Sequence, residues 1–292
     1  MSLDTFLSTL QLGLIYSVLA LGLFLSFRIL DTPDLTVDGS FVTGMAISAV
    51  LTLAGHPILG LAAAFAGGLS AGLVTGLLHT RLKIQPILAG ILTMTALYSV
   101  NLRIMAGKPN LSLYKKETLF SLFEGSMPQA TTVLLLFTVA GLVILLTVFL
   151  KTQLGLSLRA TGDNEEMVRA SSINTDSMKL LGLALANGFV ALSGGLLAQQ
   201  QQFEDNNGGL GMLVLGLASI IIGETLFGKG GLAHHLISIC MGTIVYRFVL
   251  TFALSLGLAA SDLKLFSAVL VVLALALPQM QGQLKRRRKR HA

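Results

Sequence analysis

Apolar runs of about 20 residues recur from one end of this 292-residue chain to the other. A helix of about 20 residues spans the roughly 30 Å hydrocarbon core of a bilayer, where only helices and closed barrels satisfy their backbone hydrogen bonds. Only 12% of the residues are charged and the mean hydropathy is +0.79, whereas soluble domains carry about 25% charged residues. The sequence therefore predicts an all-α, polytopic membrane protein with no separate soluble domain.

The apolar runs predict nine membrane spans within residues 1–284. The second span is short for a full crossing, so it can be a half-helix that continues inward from the polar stretch 31–40. Glycines in the third span repeat every fourth residue, which allows close helix packing or merely reflects a glycine-rich protein. The predicted spans are 6–27, 41–54, 58–80, 84–105, 130–150, 177–199, 209–227, 232–256 and 263–280, and the repeated glycines are Gly68, Gly72 and Gly76.

The distribution of Lys and Arg predicts the orientation, because cytoplasmic loops carry an excess of both. Placing the C-terminal tail 285–292 inside puts 14 of the 20 Lys and Arg residues on the cytoplasmic side. Nine crossings then leave the N-terminus outside, whereas re-entry of 41–54 would move it inside. The six basic residues of the tail supply a charge equal to the whole net charge of +6. We expect them to anchor the topology beside anionic lipid and not to bind nucleic acid.

A polar, charged island at residues 149–179 interrupts the apolar pattern, with a predicted cytoplasmic loop at 151–176. Asp163 can cap the first turn of a helix, and Glu166, three residues later, can reach back to it. A short amphipathic helix tethered at both ends to membrane spans would lie on the bilayer surface, where another protein can contact it. The apolar positions that follow at helical spacing are Met167, Ala170 and Ile173 or Asn174.

The segment Gly223–Lys229 matches G-x-x-x-x-G-K, the start of a phosphate-binding loop. Gly230 follows where a Ser or Thr would bind magnesium, and an apolar helix precedes the segment instead of a strand. We interpret it as a glycine-rich inner turn. The chain is therefore expected to hold no cofactor, no metal and no catalytic site, and any ATP and magnesium would be bound by another chain.

The stretch 31–40 is unusual because three carboxylates, Pro33 and Gly39 separate two apolar segments. Irregular backbone at membrane depth is tolerated only against protein or a water-filled cavity. One interpretation is a broken helix that lines a translocation path, with Ser40 near the N-terminus of the next helix. The other is an ordinary cytoplasmic turn in which Asp38 caps that helix.

Arg247 lies midway along the span 232–256, where an ionised side chain is costly and should face a cavity or a partner. Its candidate partners are Glu224, Asp38 and a substrate carboxylate, and a purely structural ion pair between helices is an equal alternative. Asn187 is the best candidate for a polar side chain that faces the lumen. The candidate translocation-path residues are Asp34, Asp38, Ser40, Asn187, Glu224 and Arg247.

Several residues of the island and of the spans after it form a recognisable pattern, namely Gly155, Arg159, Ala160, Gly162, Asn164, Ala170, Leu192–Gly195 and the glycine-rich stretch Gly208–Gly223. Through this pattern the chain resembles the permease subunits of bacterial ABC importers of the branched-chain amino acid and ribose type. The resemblance covers most of the chain, and Ser172 departs from it where the family usually has glycine. The segment 34–41 is similar to a subgroup labelled as tryptophan and tyrosine importers.

The resemblance implies eight to ten transmembrane helices in the ABC importer permease fold and a place in the bacterial plasma membrane. It implies a dimer of permeases, two cytoplasmic ATPase subunits and an extracytoplasmic substrate-binding protein for a small polar solute such as an amino acid. It also makes residues 163–174 a coupling helix, with Met167, Val168 and Ile173 as apolar contacts of the ATPase. The coupling residues would be Asp163, Asn164, Glu165, Glu166, Met167, Val168, Arg169, Ala170 and Ile173.

Two other functions stay open at this point. An ion-coupled secondary transporter could use Asp38, Glu224 or Arg247 as its coupling site. A membrane-embedded enzyme is disfavoured because the sequence offers no catalytic constellation.

Overall fold

The structure is a computed structural model that describes residues 3–124, 129–257, 262, 265–270 and 272. Over these residues the chain is almost entirely helical, which confirms the predicted all-α class, and two short strands form one antiparallel pair. The helices are α1 (Leu3–Phe24, prolonged by the π-helical turn Leu25–Ile29), α2 (Val37–Leu53), α3 (Pro57–Thr80), α4 (Pro86–Ile104), α5 (Ser121–Glu124), α6 (Ala130–Lys151), α7 (Gln153–Asp163), α8 (Glu165–Ala170), α9 (Thr175–Gln201), α10 (Met212–Phe227) and α11 (Leu232–Ser255), and the strands are β1 (Asn110–Ser112) and β2 (Phe203–Asp205).

Eight of the described helices correspond to the first eight predicted spans. Six are long and apolar enough to cross a membrane, namely α1 with its π-helical turn, α3, α4, α6, α9 and α11. The other two, α2 with 17 residues and α10 with 16, are shorter apolar helices. The ninth predicted span, 263–280, lies outside the described residues except for the helical positions 265–270 and 272, and the tail 285–292 lies wholly outside them.

Local sequence signals explain several helix boundaries. Pro57 and Pro86 stand in the first turns of α3 and α4, where the missing N–H needs no intrahelical acceptor and the ring fixes a helical φ. Gln202 ends α9 in the left-handed conformation, with φ of 53°. Gly228 has φ of 83° and follows α10. Of the segment that matches a phosphate-binding loop, Gly223–Phe227 is the end of α10 and only Gly228 and Lys229 lie in the turn, so the turn is shorter than predicted.

Helix α9 lies at the centre of the bundle, where it packs against α1, α2 and α3. Gly68 and Gly72 of α3 lie directly against the α9 backbone, and Gly76 lies against Leu180. A Cβ atom at Gly68 or Gly72 would collide with carbonyl oxygens of α9. The repeated glycines are therefore a packing surface, as their spacing predicted, and they let two backbones approach closely.

The two ends of the bundle can be recognised from side-chain contacts. At the end that carries α7 and α8, called here the α8 end, Arg28 and Glu224 share a pocket with Asp163. At the opposite end, called the β end, Gln199 donates to the Pro57 carbonyl close to β2. The chain therefore passes from the α8 end to the β end between Ile29 and Pro57, and the prediction that this segment crosses is supported over re-entry.

Helix α2 forms only the second part of that crossing, and the irregular segment 30–36 forms the first part. The segment 30–36 is not regular helix, and α2 begins only at Val37. In the same way, residues 206–211 run from β2 along the first two turns of α2 before α10 begins at Met212. The N-termini of α2 and α10 meet at Asp38, within the bundle.

Candidate functional site

Helix α8 is a separate six-residue helix within the island. Asn164 caps it, because its side-chain oxygen accepts a hydrogen bond from the Met167 N–H at 3.0 Å. The predicted cap at Asp163 is wrong, since Asp163 is the last residue of α7. Only Asn164, with φ of −158°, has the extended backbone that an N-cap needs.

An ionic network attaches α8 to the first turns of α9. The Glu165 carboxylate accepts hydrogen bonds from Lys179 at 2.6 Å, from Arg169 at 2.7 Å and from the Thr175 hydroxyl at 3.2 Å. The hydrogen bond from Lys179 is the main cause that holds the pKa of Glu165 below its usual range. Glu165 and Arg169 thus hold α8 in place against α9.

The exposed face of α8 is narrower than the sequence predicted. Met167 is 59% exposed, and Glu166 and Ala170 are exposed as well. Val168 is only 2% exposed and packs into its own protein, so the prediction that it contacts a partner is wrong. Ile173 is half-buried beside α8. Met167 is therefore the principal apolar side chain that α8 presents.

Glu224 belongs to a cluster at the α8 end and not to a path through the bundle. Its carboxylate pairs with Arg28 at 2.5 Å, with Lys229 at 3.0 Å and with His235 at 3.0 Å. This cluster joins the ends of α1, α10 and α11. The predicted pairing of Glu224 with Arg247 is therefore wrong, because three nearer groups at the α8 end occupy its oxygens.

Arg247 has an aromatic partner and no acidic one among the described residues. Its guanidinium lies over the Tyr16 ring, 5.1 Å from the ring centroid, and its Nε lacks a hydrogen-bond partner in the described part of the chain. The Asp38 carboxylate is engaged elsewhere, with the first turn of α10. The predicted ion pair of Arg247 with Asp38 or Glu224 is wrong, and a cation–π contact between α1 and α11 takes its place.

Three of the predicted path residues come together in one buried network. The Asn187 amide donates to Asp34 at 2.6 Å and accepts from the Ser40 hydroxyl at 2.7 Å. The backbone N–H of Thr36 donates to the other oxygen of Asp34 at 2.8 Å. Asp34 is 1% exposed, and Asn187 and Ser40 are 0% exposed. The network therefore fastens the irregular segment 30–36 to α9.

Asp38 is the one predicted path residue that lines a pocket beside the start of α2. The pocket has a volume of about 320 Å³ and lies between α2, α4 and residues 206–210. The two carboxylate oxygens of Asp38 accept from the backbone N–H groups of Gly211 at 3.1 Å and Leu213 at 2.9 Å. Asp38 therefore caps α10, the later helix, and not the helix that the sequence predicted.

Sequence reasoning gave no functional role to the other polar residues around this pocket. Asn101 and Asn206 line it, and the Oδ1 atom of each lacks a hydrogen-bond partner among the described residues. Nearby in β2, Glu204 is 0% exposed and both its carboxylate oxygens are unpartnered within the described ranges. Burial, with a smaller effect of Asp205, raises the pKa of Glu204 to about 8. The sequence did offer one signal for this pocket, the amide Asn101 in an apolar span. Because Asn101 lies near the end of that span, its side chain was expected to be solvated at the membrane interface.

Six helices that are long and apolar enough to cross a membrane, with a short helix tethered between two of them, are typical of a multi-pass membrane protein. A family model described as branched-chain amino acid transport system / permease component matches residues 5–277, and the chain belongs to this family. It is an ABC importer permease subunit for a small solute, which its relatives also indicate.

Curated relatives match over most of their length. The chain is 44% identical over 281 residues to the tyrosine transport system permease protein of Clostridioides difficile (strain R20291), covering 96% of this chain and 93% of that relative. It is 25% identical over 279 residues to the ribose import permease protein RbsC of Escherichia coli (strain K12), covering 94% and 85%. It is 29% identical over 261 residues to the autoinducer 2 import system permease protein LsrC of Yersinia pestis (strain Pestoides F), covering 86% and 69%. No solved structure matches the chain.

Proposed function

We propose that this chain is the membrane-spanning subunit of an ATP-driven importer that carries an aromatic amino acid, tyrosine or a close analogue, across the bacterial plasma membrane. The observation that carries the substrate class is the 44% identity, over 96% of the chain, to a protein named as a tyrosine transport system permease. In the proposed assembly, two permease copies work with two cytoplasmic ATPase subunits, which bind ATP and magnesium. An extracytoplasmic protein delivers the solute.

The arrangement of α8 supports its proposed role as the element that contacts the ATPase. Met167 offers an exposed apolar side chain, and a single well-placed apolar anchor can dominate a docking interface. Glu165 attaches α8 to Lys179 on α9. Along α9, Asn187 lies eight residues further, or about 12 Å, and bonds to Asp34 and Ser40. Displacement of α8 would thus reach α9 and the irregular segment 30–36.

For the competing function, an ion-coupled secondary transporter, two of the three candidate coupling residues are engaged in other contacts. Glu224 is paired with three cationic or titratable side chains at the α8 end, and Arg247 stacks on Tyr16. Asp38 remains next to the pocket, but it also caps α10. The contacts therefore favour the ATP-driven importer.

The docking role is tested by Met167→Asp in the reconstituted complex of permease, ATPase and binding protein. We expect solute-stimulated ATPase activity and uptake to fall by at least about tenfold, because a charge replaces the apolar anchor of the interface. The matched control is Ser177→Asp, which puts the same charge on an exposed position of the first turn of α9. Equal amounts of inserted, co-purifying complex with unchanged activity in Met167→Asp would exclude α8 as the docking element.

A further inference from the structure

The pocket beside Asp38 has hydrogen-bond acceptors without donors. Asn101 is 1% exposed and Asn206 is 5% exposed, and the Oδ1 atom of each is unpartnered among the described residues. The amide nitrogen of Asn206 already donates to the Tyr98 carbonyl at 3.5 Å, so exchanging its oxygen and nitrogen would face two oxygens toward each other. A buried acceptor left unpaired costs roughly 1–3 kcal/mol. A ligand that brings donors to this pocket would recover that cost.

Asp38 adds a negative charge to the same pocket. Its carboxylate oxygens accept the backbone N–H groups of Gly211 and Leu213, and the Met212 N–H also faces the carboxylate. A carboxylate has about four lone-pair positions, so Asp38 can accept a further hydrogen bond. The described polar side chains that line the pocket therefore favour a ligand group that is cationic and carries several donors, which is the chemistry of a primary ammonium.

The size and walls of the pocket favour an organic ammonium over a bare metal cation. Its volume of about 320 Å³ lies in the range of small-molecule sites. Much of its wall is apolar or aromatic, contributed by Val42, Met94, Tyr98 and Leu210. A metal ion would leave these walls without a partner, whereas an amphipathic molecule can place its ammonium at the oxygens and its apolar part against the walls.

We propose that this pocket is a substrate subsite of the permease itself, which binds the ammonium group of an aromatic amino acid through Asp38, Asn101 and Asn206. This inference rests on the proposed function for the nature of the solute. It adds a selection step in this chain to any selection by a binding protein. In this arrangement the ammonium would lie among Asp38, Asn101 and Asn206, and the aromatic side chain would lie along Met94 and Tyr98, which all line the pocket.

The test measures protection of a thiol placed in the pocket. Thr95 lines the pocket and is exposed, and its hydroxyl bonds only to carbonyls of its own helix, so Thr95→Cys is a mild reporter change. Cys240 is the single native cysteine and is buried, so Cys240→Ala removes the background. The labelling rate by a maleimide is measured on the full complex in membranes, with tyrosine, tyramine, 3-(4-hydroxyphenyl)propionate or sodium chloride added.

Tyrosine and tyramine should slow labelling several-fold, and the deaminated acid and sodium chloride should not. Asn101→Leu should weaken protection by about tenfold in ligand concentration, because it removes an acceptor for a charged donor. The matched control is Thr93→Val on the same helix, whose hydroxyl bonds to Ala89 of its own helix and which does not line the pocket.

Three results would overturn the inference: equal protection by 3-(4-hydroxyphenyl)propionate, protection by sodium chloride, or full protection in Asn101→Leu. ATP-dependent uptake is recorded on the same vesicles. Uptake without protection would refute the subsite and leave the importer standing. Protection of the expected pattern, together with uptake that ignores ATP, would refute the importer and leave the subsite standing.

Discussion

At the scale of single residues, acidic side chains that look alike in the sequence have different structural roles. Asp34 is enclosed by hydrogen bonds from Asn187 and Thr36, whereas Asp38, four residues later, caps α10 and borders the pocket. Glu204 is buried without a partner among the described residues. Sequence position alone could mark these residues as polar in apolar surroundings, but their partners come from distant segments.

Asn187→Leu should destabilise the protein strongly, because it leaves the buried Asp34 oxygen and the Ser40 hydroxyl without their partner. Leaving a buried polar group without its hydrogen-bond partner costs about 1–3 kcal/mol. The measurement is the thermal unfolding midpoint of the purified protein in detergent. Ser193→Ala, which removes one buried hydrogen bond to the Ile15 carbonyl, should lower the midpoint less. If Asn187→Leu lowered the unfolding midpoint less than Ser193→Ala does, the network would not be a main source of stability.

Glu204 should make stability depend on pH in a predictable direction. Its pKa is about 8 in the folded protein, against 4.5 as an ordinary value, so the folded state holds a proton that the unfolded state loses. The stabilisation of the folded state by this proton is fully present below pH 4.5. It is lost as the pH rises from 4.5 to about 8, and above pH 8 the free energy of unfolding no longer changes because of Glu204. The unfolding midpoint of Glu204→Gln should decline less over this window than that of wild type. Glu117→Gln, at an exposed position, should follow wild type, and parallel curves for all three would refute the burial argument.

At the scale of elements, the sequence predicted the helices, which depend on the length and apolarity of a segment. It did not predict the caps, buried side chains and pocket that depend on contacts with other segments. Eight of the predicted spans correspond to helices, and six of these helices are long and apolar enough to cross a membrane, because a crossing helix needs a long apolar run. The cap of α8 was assigned one residue early, because Asp163 and Asn164 are both good capping residues and only the preceding helix α7 decides between them. Val168 looked available on a short amphipathic helix, but it is buried against its own protein. Asn101 and Asn206 join one pocket only after α4 and the segment before α10 fold together.

Because α8 is attached to α9, breaking this attachment should uncouple ATP hydrolysis from transport. Lys179→Met removes the 2.6 Å contact to Glu165, so α8 should still bind an ATPase but transmit less motion to α9. We expect fewer solute molecules carried per ATP hydrolysed, measured in proteoliposomes. Lys83→Met is the matched control, since its contact with Asp176 is long, at 3.8 Å, and its side chain is 72% exposed. An unchanged ratio in Lys179→Met, or an equal loss in Lys83→Met, would contradict the proposed connection.

At the scale of the whole molecule, a continuous series of contacts joins the α8 end to the pocket. It starts at α8, follows α9 to Asn187, continues through Ser40 into the first turn of α2 and reaches Asp38 two residues before Ser40. The N-termini of α2 and α10 meet there, beside the pocket. This geometry is what the proposed importer requires, because ATP hydrolysed outside the membrane must change a site within it.

The central claim is tested most directly by tyrosine uptake into proteoliposomes that contain the permease with its ATPase and binding protein. The account predicts uptake that requires hydrolysable ATP on the side of the ATPase and persists when ionophores collapse proton and sodium gradients. Uptake that proceeds without ATP and stops when those gradients are collapsed would contradict it.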